Sequence, residues 1–391
     1  MHFFSKLKLL DISKLRKIFL FLFFFVLIGA LAFSFYQIYQ LKNQKEDKLK
    51  NFEALQTELS DLKNQDQYKK NEELQKEINN IQKTYKNTVD TYEDILSIEE
   101  KGIDVKEFNK LFANALSLLS ERNFSSASAT LITISQKITE AEKKIAATFK
   151  IPENIPVENT PPGKGYSKQQ VSTDAGNFMV SMIAADYSST RVIVDTASGT
   201  ECFNDCPVLS LATYVSRNGA FAGVNGSYFC PATYPSCSGK TNTFDTLLMN
   251  KDKKYFNSDN NVYSNNPAVI FGGSFIRFVS AASQWGRDTS IDSMISNYPL
   301  LVFNSNVSFA GDDDPKKGSK GNRSFIAQKG NTVYIGVVYN VTVAESARVM
   351  KVLGMENALN LDSGGSTALW SGGYKAGPGR DIPNAILFVN K

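Results

Sequence analysis

The longest unbroken apolar run lies near the N-terminus, from about Ile18 to Tyr36 (IFLFLFFFVLIGALAFSFY). As a helix it is long enough to cross a hydrocarbon core of about 30 Å. The pattern then turns amphipathic. From Ala30 to Lys101 there is no Gly and no Pro. Apolar residues recur at Phe52, Leu55, Leu59 and Leu62, and again at Leu74, Ile78, Ile81, Tyr85, Val89, Tyr92 and Leu96. Steps of three and four averaging about 3.5 predict a coiled coil, interrupted around Asp66 to Lys70. A solvated single helix is the alternative. Gly102 ends the run. Two further stripes follow: Phe108, Leu111, Phe112, Ala115 and Leu118, then Ala127, Leu131, Ile134 and Ile138. With a turn at Arg122-Asn123-Phe124 they predict a helical hairpin over 102–150.

Residues 151–166 contain four prolines and two glycines and read as an extended linker. Beyond them the period shortens toward two. Strand-like runs stand at Thr190–Asp195, Ala220–Val224, Val269–Phe271, Val333–Tyr339 and Ala385–Val389. One helix is predicted over Ala344–Leu353, closed by Gly354. The expected fold class is therefore α+β. A mixed-sheet C-terminal domain with few helices, residues 167–391, follows a transmembrane helix (18–39) and a helical, coiled-coil stalk (40–101).

Charge gives the expected orientation. Residues 1–17 carry Lys6, Lys8, Lys14, Arg16 and Lys17 against Asp11 alone. A basic flank predicts a cytoplasmic tail, a single pass through the lipid bilayer and an extracytoplasmic C-terminal domain. Ala30-Leu31-Ala32 resembles a cleavage site, so a signal peptide and a secreted product are the alternative. No basic block follows the tail, which argues against nucleic acid as a partner. The stalk could join copies of the chain into a homo-oligomer. The wealth of Lys, Asn, Phe and Ile suggests an AT-rich bacterial genome.

The only histidine is His2. That excludes Ser-His-Asp and Cys-His catalysis and HExxH zinc sites from the C-terminal domain. Its cysteines, Cys202, Cys206, Cys230 and Cys237, have a spacing that suits disulfides better than zinc. Four cysteines allow three pairings. Pairing each with its nearer neighbour is weakly favoured. No cofactor is called for, and a metal requirement is open. Asp312-Asp313-Asp314 lacks the spaced ligands of a calcium loop and reads as a solvated turn.

Four loops could carry chemistry. Asn360-Leu361-Asp362-Ser363-Gly364-Gly365-Ser366-Thr367 sets an acid before glycines whose backbone can approach a ligand. Gly223-Val224-Asn225-Gly226-Ser227-Tyr228-Phe229 is the second. The others hold Arg323 and Arg380, whose guanidinium forks fit phosphate. The order GVNGSYF, SNYPLLVFN, NRSFIA, VTVAESARVMKVLGMENALNLDSGGSTALW and GRDIPNAILFV resembles the phosphodiester glycosidase family over about Val192 to Val389. That family's pattern runs roughly Asn-Gly-Gly-Phe-Phe, Pro-Arg-Thr, Asn-Leu-Asp-Gly-Gly-Gly-Ser-Thr and Arg-Pro-Val-Pro-Asn-Ala. The resemblance implies hydrolysis of sugar-1-phosphodiesters in envelope or exopolysaccharide glycans. It implies catalytic roles for Asp362, Arg323 and Arg380. Substrate contacts are implied for Asn225, Gly226, Asn360, Gly364, Gly365, Ser366, Thr367 and Asn384. Ser227 and Ser363 stand where the pattern has glycine, and Asn322 and Ser324 flank Arg323 in place of Pro and Thr. These departures admit a second reading, a non-catalytic glycan-binding domain. Glu345 and Asp381 are candidates for a second carboxylate.

Overall fold

The computed structural model describes residues 12–259 and 264–391, so most of the expected cytoplasmic tail lies outside the described residues. The chain divides into two compact units, Met1–Gln82 and Lys83–Lys391. In the first, helix α1 (Ile12–Asn64) carries the apolar run on its surface, with Phe19 75% and Phe25 71% exposed. Among the described residues it is the one helix long and apolar enough to cross a membrane. That fits an anchor or a signal sequence. Phe52, Leu55, Leu59 and Leu62 are also exposed in the single chain. Gln65 separates α1 from α2 (Asp66–Glu100), at the interrupted stretch of the pattern.

In the second unit the last turns of α2 pack with α3 (Lys106–Ser120) and α4 (Phe124–Thr148). Ile95 and Ile98 join Phe108, Ala115, Leu131, Ile134 and Ile138 in one buried cluster. The hairpin stripes are thus buried against a third helix. Asn123 caps α4 by accepting from Ser126 N at 3.2 Å, which explains the turn there.

Three sheets form the rest. The largest has the order β1 (Gly165–Thr173), β2 (Gly176–Asp186), β13 (Thr332–Val341), β12 (Gly321–Lys329), β14 (Asn357–Ser363), β10 (Leu300–Phe303), β11 (Asn306–Val307). The second runs β16 (Tyr374–Ala376), β15 (Leu369–Trp370), β4 (Ala222–Asn225), β17 (Asn384–Asn390), β3 (Thr190–Thr196). The third runs β6 (Tyr255–Phe256), β5 (Leu248–Met249), β9 (Ser293–Ser296), β7 (Ala268–Phe271), β8 (Ile276–Val279).

The period of two explains the layering. Two short helices, α5 (Leu211–Arg217) and α6 (Pro315–Gly318), precede α7 (Val343–Val352). Along β12, Phe325 and Ala327 face α7, while Ile326 faces the core shared by the sheets. Val338 and Val337 alternate likewise on β13, and Ala358 and Leu359 on β14. Both faces of these strands are buried, so their runs read as continuously apolar. The predicted helix forms within one residue of its expected ends. Thr342 accepts from Glu345 N while the Glu345 carboxylate accepts from Thr342 N, a capping box.

The 151–166 segment is not a free spacer. Glu158 N donates to Gln170 O at 2.8 Å and Gln170 N to Pro156 O at 2.7 Å. Gln169 Nε2 donates to the carbonyls of Glu158 and Thr160. The open edge of β1 takes up the extended chain, and proline is tolerated there because an edge residue needs no second ladder bond.

Phe388 of β17 is fully buried where the sheets meet. Phe388→Ala should cost about 3–5 kcal/mol in chemical denaturation.

Candidate active site

The candidate residues converge where β4, β12, β14 and β17 end. Asn225 closes β4 and is fully buried. Its Nδ2 donates to Asp362 O at 2.7 Å. Its Oδ1 accepts from Ser324 Oγ at 2.7 Å and from Ala368 N at 3.1 Å. The amide is spent on protein, so Asn225 shapes the site from beneath. Gly226 follows because a Cβ there would collide with the Asn384 side chain. Asn384 Oδ1 in turn accepts from Ser227 N at 3.0 Å. The buried Ser227 hydroxyl meets the same Asn384 amide, so this departure from the family pattern is absorbed within the scaffold.

Asp362 stands at the end of β14. Ser363 N donates to its Oδ1 at 2.8 Å, and the Ser366 hydroxyl also hydrogen-bonds its carboxylate. Burial nevertheless dominates and pushes its pKa up to about 6, although part of the residue still reaches solvent. The two hydrogen bonds and the Arg380 charge oppose that rise, while Asp245, exposed at the same place, adds to it. The backbone then turns through Gly364 at φ +63° into a short 3-10 turn, Gly364–Ser366. At Gly365 the backbone comes so close to the Arg380 guanidinium and the Glu100 carboxylate that a Cβ would push both side-chain ends aside. Ser363 directs its hydroxyl to Leu361 O at 3.2 Å, and Thr367 Oγ1 donates to Asn322 O at 3.3 Å.

The two arginines differ. Arg323 is buried, with 8% of its surface exposed. Its Nη2 donates to the carbonyls of Lys316 and Ser319 at 2.7 Å each, and its Nε to Val341 O at 3.4 Å. It therefore holds the loop bearing Lys316 and Lys317, and its Nη1 has no protein partner among the described residues. Arg380 is anchored by its own N–H on Gly365 O at 2.7 Å, with its guanidinium 5.7 Å above the Tyr234 ring. Arg380 Nη2 is held by both carboxylate oxygens of Glu100, at 2.6 Å to Oε1. Glu100 ends α2, about 280 residues away in sequence. Nearby, Ser236 N donates to the buried Glu93 carboxylate at 3.0 Å.

The disulfides Cys202–Cys206 and Cys230–Cys237 form as the spacing favoured. The second closes the loop that presents Tyr234 and Ser236, and Lys316 Nζ lies 5.4 Å over the same Tyr234 ring. Glu345 pairs with Lys320 and caps α7, and Asp381 is exposed. Asp312 and Asp314 pair with Lys317. Among the described residues no group of three His, Cys, Asp or Glu side chains could hold a metal ion.

Sequence reasoning missed Glu100, Tyr234, Tyr228 and Tyr298. Glu100 gave no local signal. Tyr228 lies inside the second motif, where only Asn225 and Gly226 stood out.

Residues 218–389 match the model of the phosphodiester glycosidase family. The C-terminal region is thus phosphodiester glycosidase-like. The resemblance drawn from the ordered motifs holds over that span, which contains every candidate catalytic and substrate-contact residue read from the sequence but not Glu100. No curated protein sequence matches the chain. Solved structures that resemble it include a hypothetical protein from Synechocystis, at 13% identity and TM-score 0.41, covering 58% of this chain and 62% of that one. The chain therefore spans less than two thirds of that protein. Another is the catalytic domain of zebrafish N-acetylglucosamine-1-phosphodiester alpha-N-acetylglucosaminidase, auto-inhibited by its pro-peptide, at 13% identity and TM-score 0.46, covering 61% and 87%. A third is a putative exported protein from Burkholderia pseudomallei, at 11% identity and TM-score 0.36, covering 55% and 74%.

The raised Asp362 pKa has a stability consequence. A carboxyl whose folded pKa lies above its unfolded value of about 3.9 destabilises the fold once ionised, so its contribution is intact below that value and is lost as pH rises through about 6. Asp362→Asn should then be more stable than the parent at pH 8 by roughly 2 kcal/mol, after allowance for residual solvent access. The gain should vanish at pH 4, as read by denaturant unfolding at the two pH values.

Proposed function

We propose that the C-terminal domain is a hydrolase that cleaves the glycosidic bond of sugar-1-phosphodiesters, of the N-acetylglucosamine-1-phosphodiester kind, in extracytoplasmic envelope glycans or exopolysaccharide. The N-terminal helix anchors it to the membrane, with the N-terminus in the cytoplasm, and the stalk joins copies of the chain. The observation that carries the reading is a crowded carboxyl, Asp362, set beside Arg380 on a glycine turn that brings backbone and guanidinium together.

In this reading Asp362 is the base. Water forms the new C–O bond at the anomeric carbon and gives its proton to the Asp362 carboxylate. The bond from the anomeric carbon to the bridging oxygen breaks, and its electron pair stays with the phosphate. Free sugar and a phosphomonoester result. The leaving group is a weak base, with a second pKa of about 6, so strong proton donation is unnecessary and a site without histidine suffices. Arg380 and the unpartnered Nη1 of Arg323 balance the phosphate charge, as guanidinium forks do. Ser366 holds the base in place.

A second reading, a glycan-binding domain without turnover, draws on one observation: Glu100 already occupies Arg380. The two readings separate on a panel of sugar-1-phosphodiesters. Sugar release by the full chain supports the hydrolase, and binding without release supports the other. If the hydrolase reading holds, Asp362→Asn should lower turnover by about 10²–10⁴-fold. Activity near that of the parent from a folded variant would remove Asp362 from its role. In the parent, kcat/KM should fall as pH drops through about 6, because the base must be ionised. Glu100→Gln removes the carboxylate that competes with phosphate for Arg380, and KM should fall several-fold. An unchanged KM would mean that substrate does not use Arg380.

A further inference from the structure

Tyr228 follows the Gly226-Ser227 turn and is only part-buried. Its backbone is pinned on both sides. Tyr228 N donates to Asn297 Oδ1 at 3.0 Å, and its carbonyl accepts from Asp245 N at 3.1 Å. Its ring lies 5.0 Å from the Tyr298 ring, tilted by 57°. The backbone and the ring of Tyr228 are therefore both held in place.

The direction of its proton follows from one amide. Asn360 is fully buried, and its Nδ2 donates to the Tyr228 hydroxyl oxygen at 2.7 Å. The same nitrogen faces the carbonyls of Leu361 at 2.9 Å and Tyr298 at 3.2 Å. Two carbonyls on that side require the nitrogen there and not the amide oxygen. A flip would give the unpartnered Asn360 Oδ1 the Tyr228 hydroxyl, but it would also set that oxygen against the carbonyls of Tyr298 and Leu361. Tyr228 thus accepts from Asn360, and its own proton must point elsewhere. No protein acceptor meets that proton among the described residues. The charges that act on the hydroxyl are Asp362 and Arg323, the candidate base and a candidate phosphate ligand. A hydroxyl partly withdrawn from water without an acceptor is unfavourable unless a ligand supplies one.

We propose that Tyr228 is a hydrogen-bond donor to the substrate: its O–H, aimed by Asn360, binds the oxygen that bridges sugar and phosphorus. This rests on the phosphodiester glycosidase reading of the site. As that oxygen takes up the electron pair of the breaking bond, the Tyr228 O–H stabilises the growing charge and keeps its proton, so the stoichiometry of hydrolysis is unchanged. Burial holds the hydroxyl above its ordinary pKa and keeps it protonated.

The test uses the full chain and a sugar-1-phosphodiester that the parent turns over. Tyr228→Phe removes one oxygen and keeps the ring. The expected result is a fall in kcat of about 10–100-fold, with KM within about 3-fold and an unchanged thermal midpoint. Incorporation of 3,5-difluorotyrosine at position 228 keeps ring and oxygen but makes the hydroxyl more acidic. The alkaline limb of the kcat profile should then move to lower pH, which a merely structural tyrosine would not cause. A kcat for Tyr228→Phe within about 2-fold of the parent overturns the inference while leaving the hydrolase reading standing. A loss matched by a lower midpoint, with no shift of the alkaline limb, overturns it too. If the parent releases sugar from no member of the panel, the hydrolase reading fails and this inference falls with it.

Discussion

The site depends on one buried amide. Asn225 reaches the backbone carbonyl of Asp362 with its nitrogen, and takes Ser324 Oγ and Ala368 N on its oxygen. Strands β4, β12 and β14, with the segment leading into β15, belong to two different sheets. This amide is the point at which their ends are held at fixed spacing. An unsatisfied group there would carry the full cost of desolvation, so the arrangement is all-or-none. Gly226 extends it, because only a residue without Cβ lets the Asn384 side chain close against the chain. The carboxyl of Asp362 is therefore positioned by amides whose own hydrogen bonds are made within the protein.

Much of this was legible from residues alone, and the reason is local. β13 and β17 are β-branched and aromatic runs whose period needs no partner to be seen. Helix α7 carries its own start signal at Thr342 and Glu345 and its own stop at Gly354. The neighbouring cysteines closed as their short separations suggested. The ordered motifs brought Asp362, Arg380 and Asn225 to one place because two of them close strands β14 and β4, and Arg380 stands in the loop that leads into β17.

What was not legible depends on distance in the chain or on two-residue strands. β5, β6, β11 and β15 are too short to show a period. The proline-rich segment looked like a spacer, and its docking on β1 rests on Gln169 and Gln170, whose side chains and backbone gave no sign beforehand. Glu100 could not be foreseen, since nothing in a helical stalk sequence says that its last carboxylate meets an arginine on a distant loop. The assignment of Asn225 and Asn384 to substrate also changes in character. Both amides are used up by neighbours, a fact that only pairing geometry reveals.

The absence of histidine has a consequence outside catalysis. All four cysteines are oxidised, and the one histidine of the sequence is His2. The domain therefore offers copper, zinc and nickel ions neither imidazole nor thiolate, the ligands they prefer. What remains near the pocket are carboxylates and guanidinium groups, which suit hard ions or none. Such ions therefore find in the domain none of the ligands they favour, whatever their concentration around it.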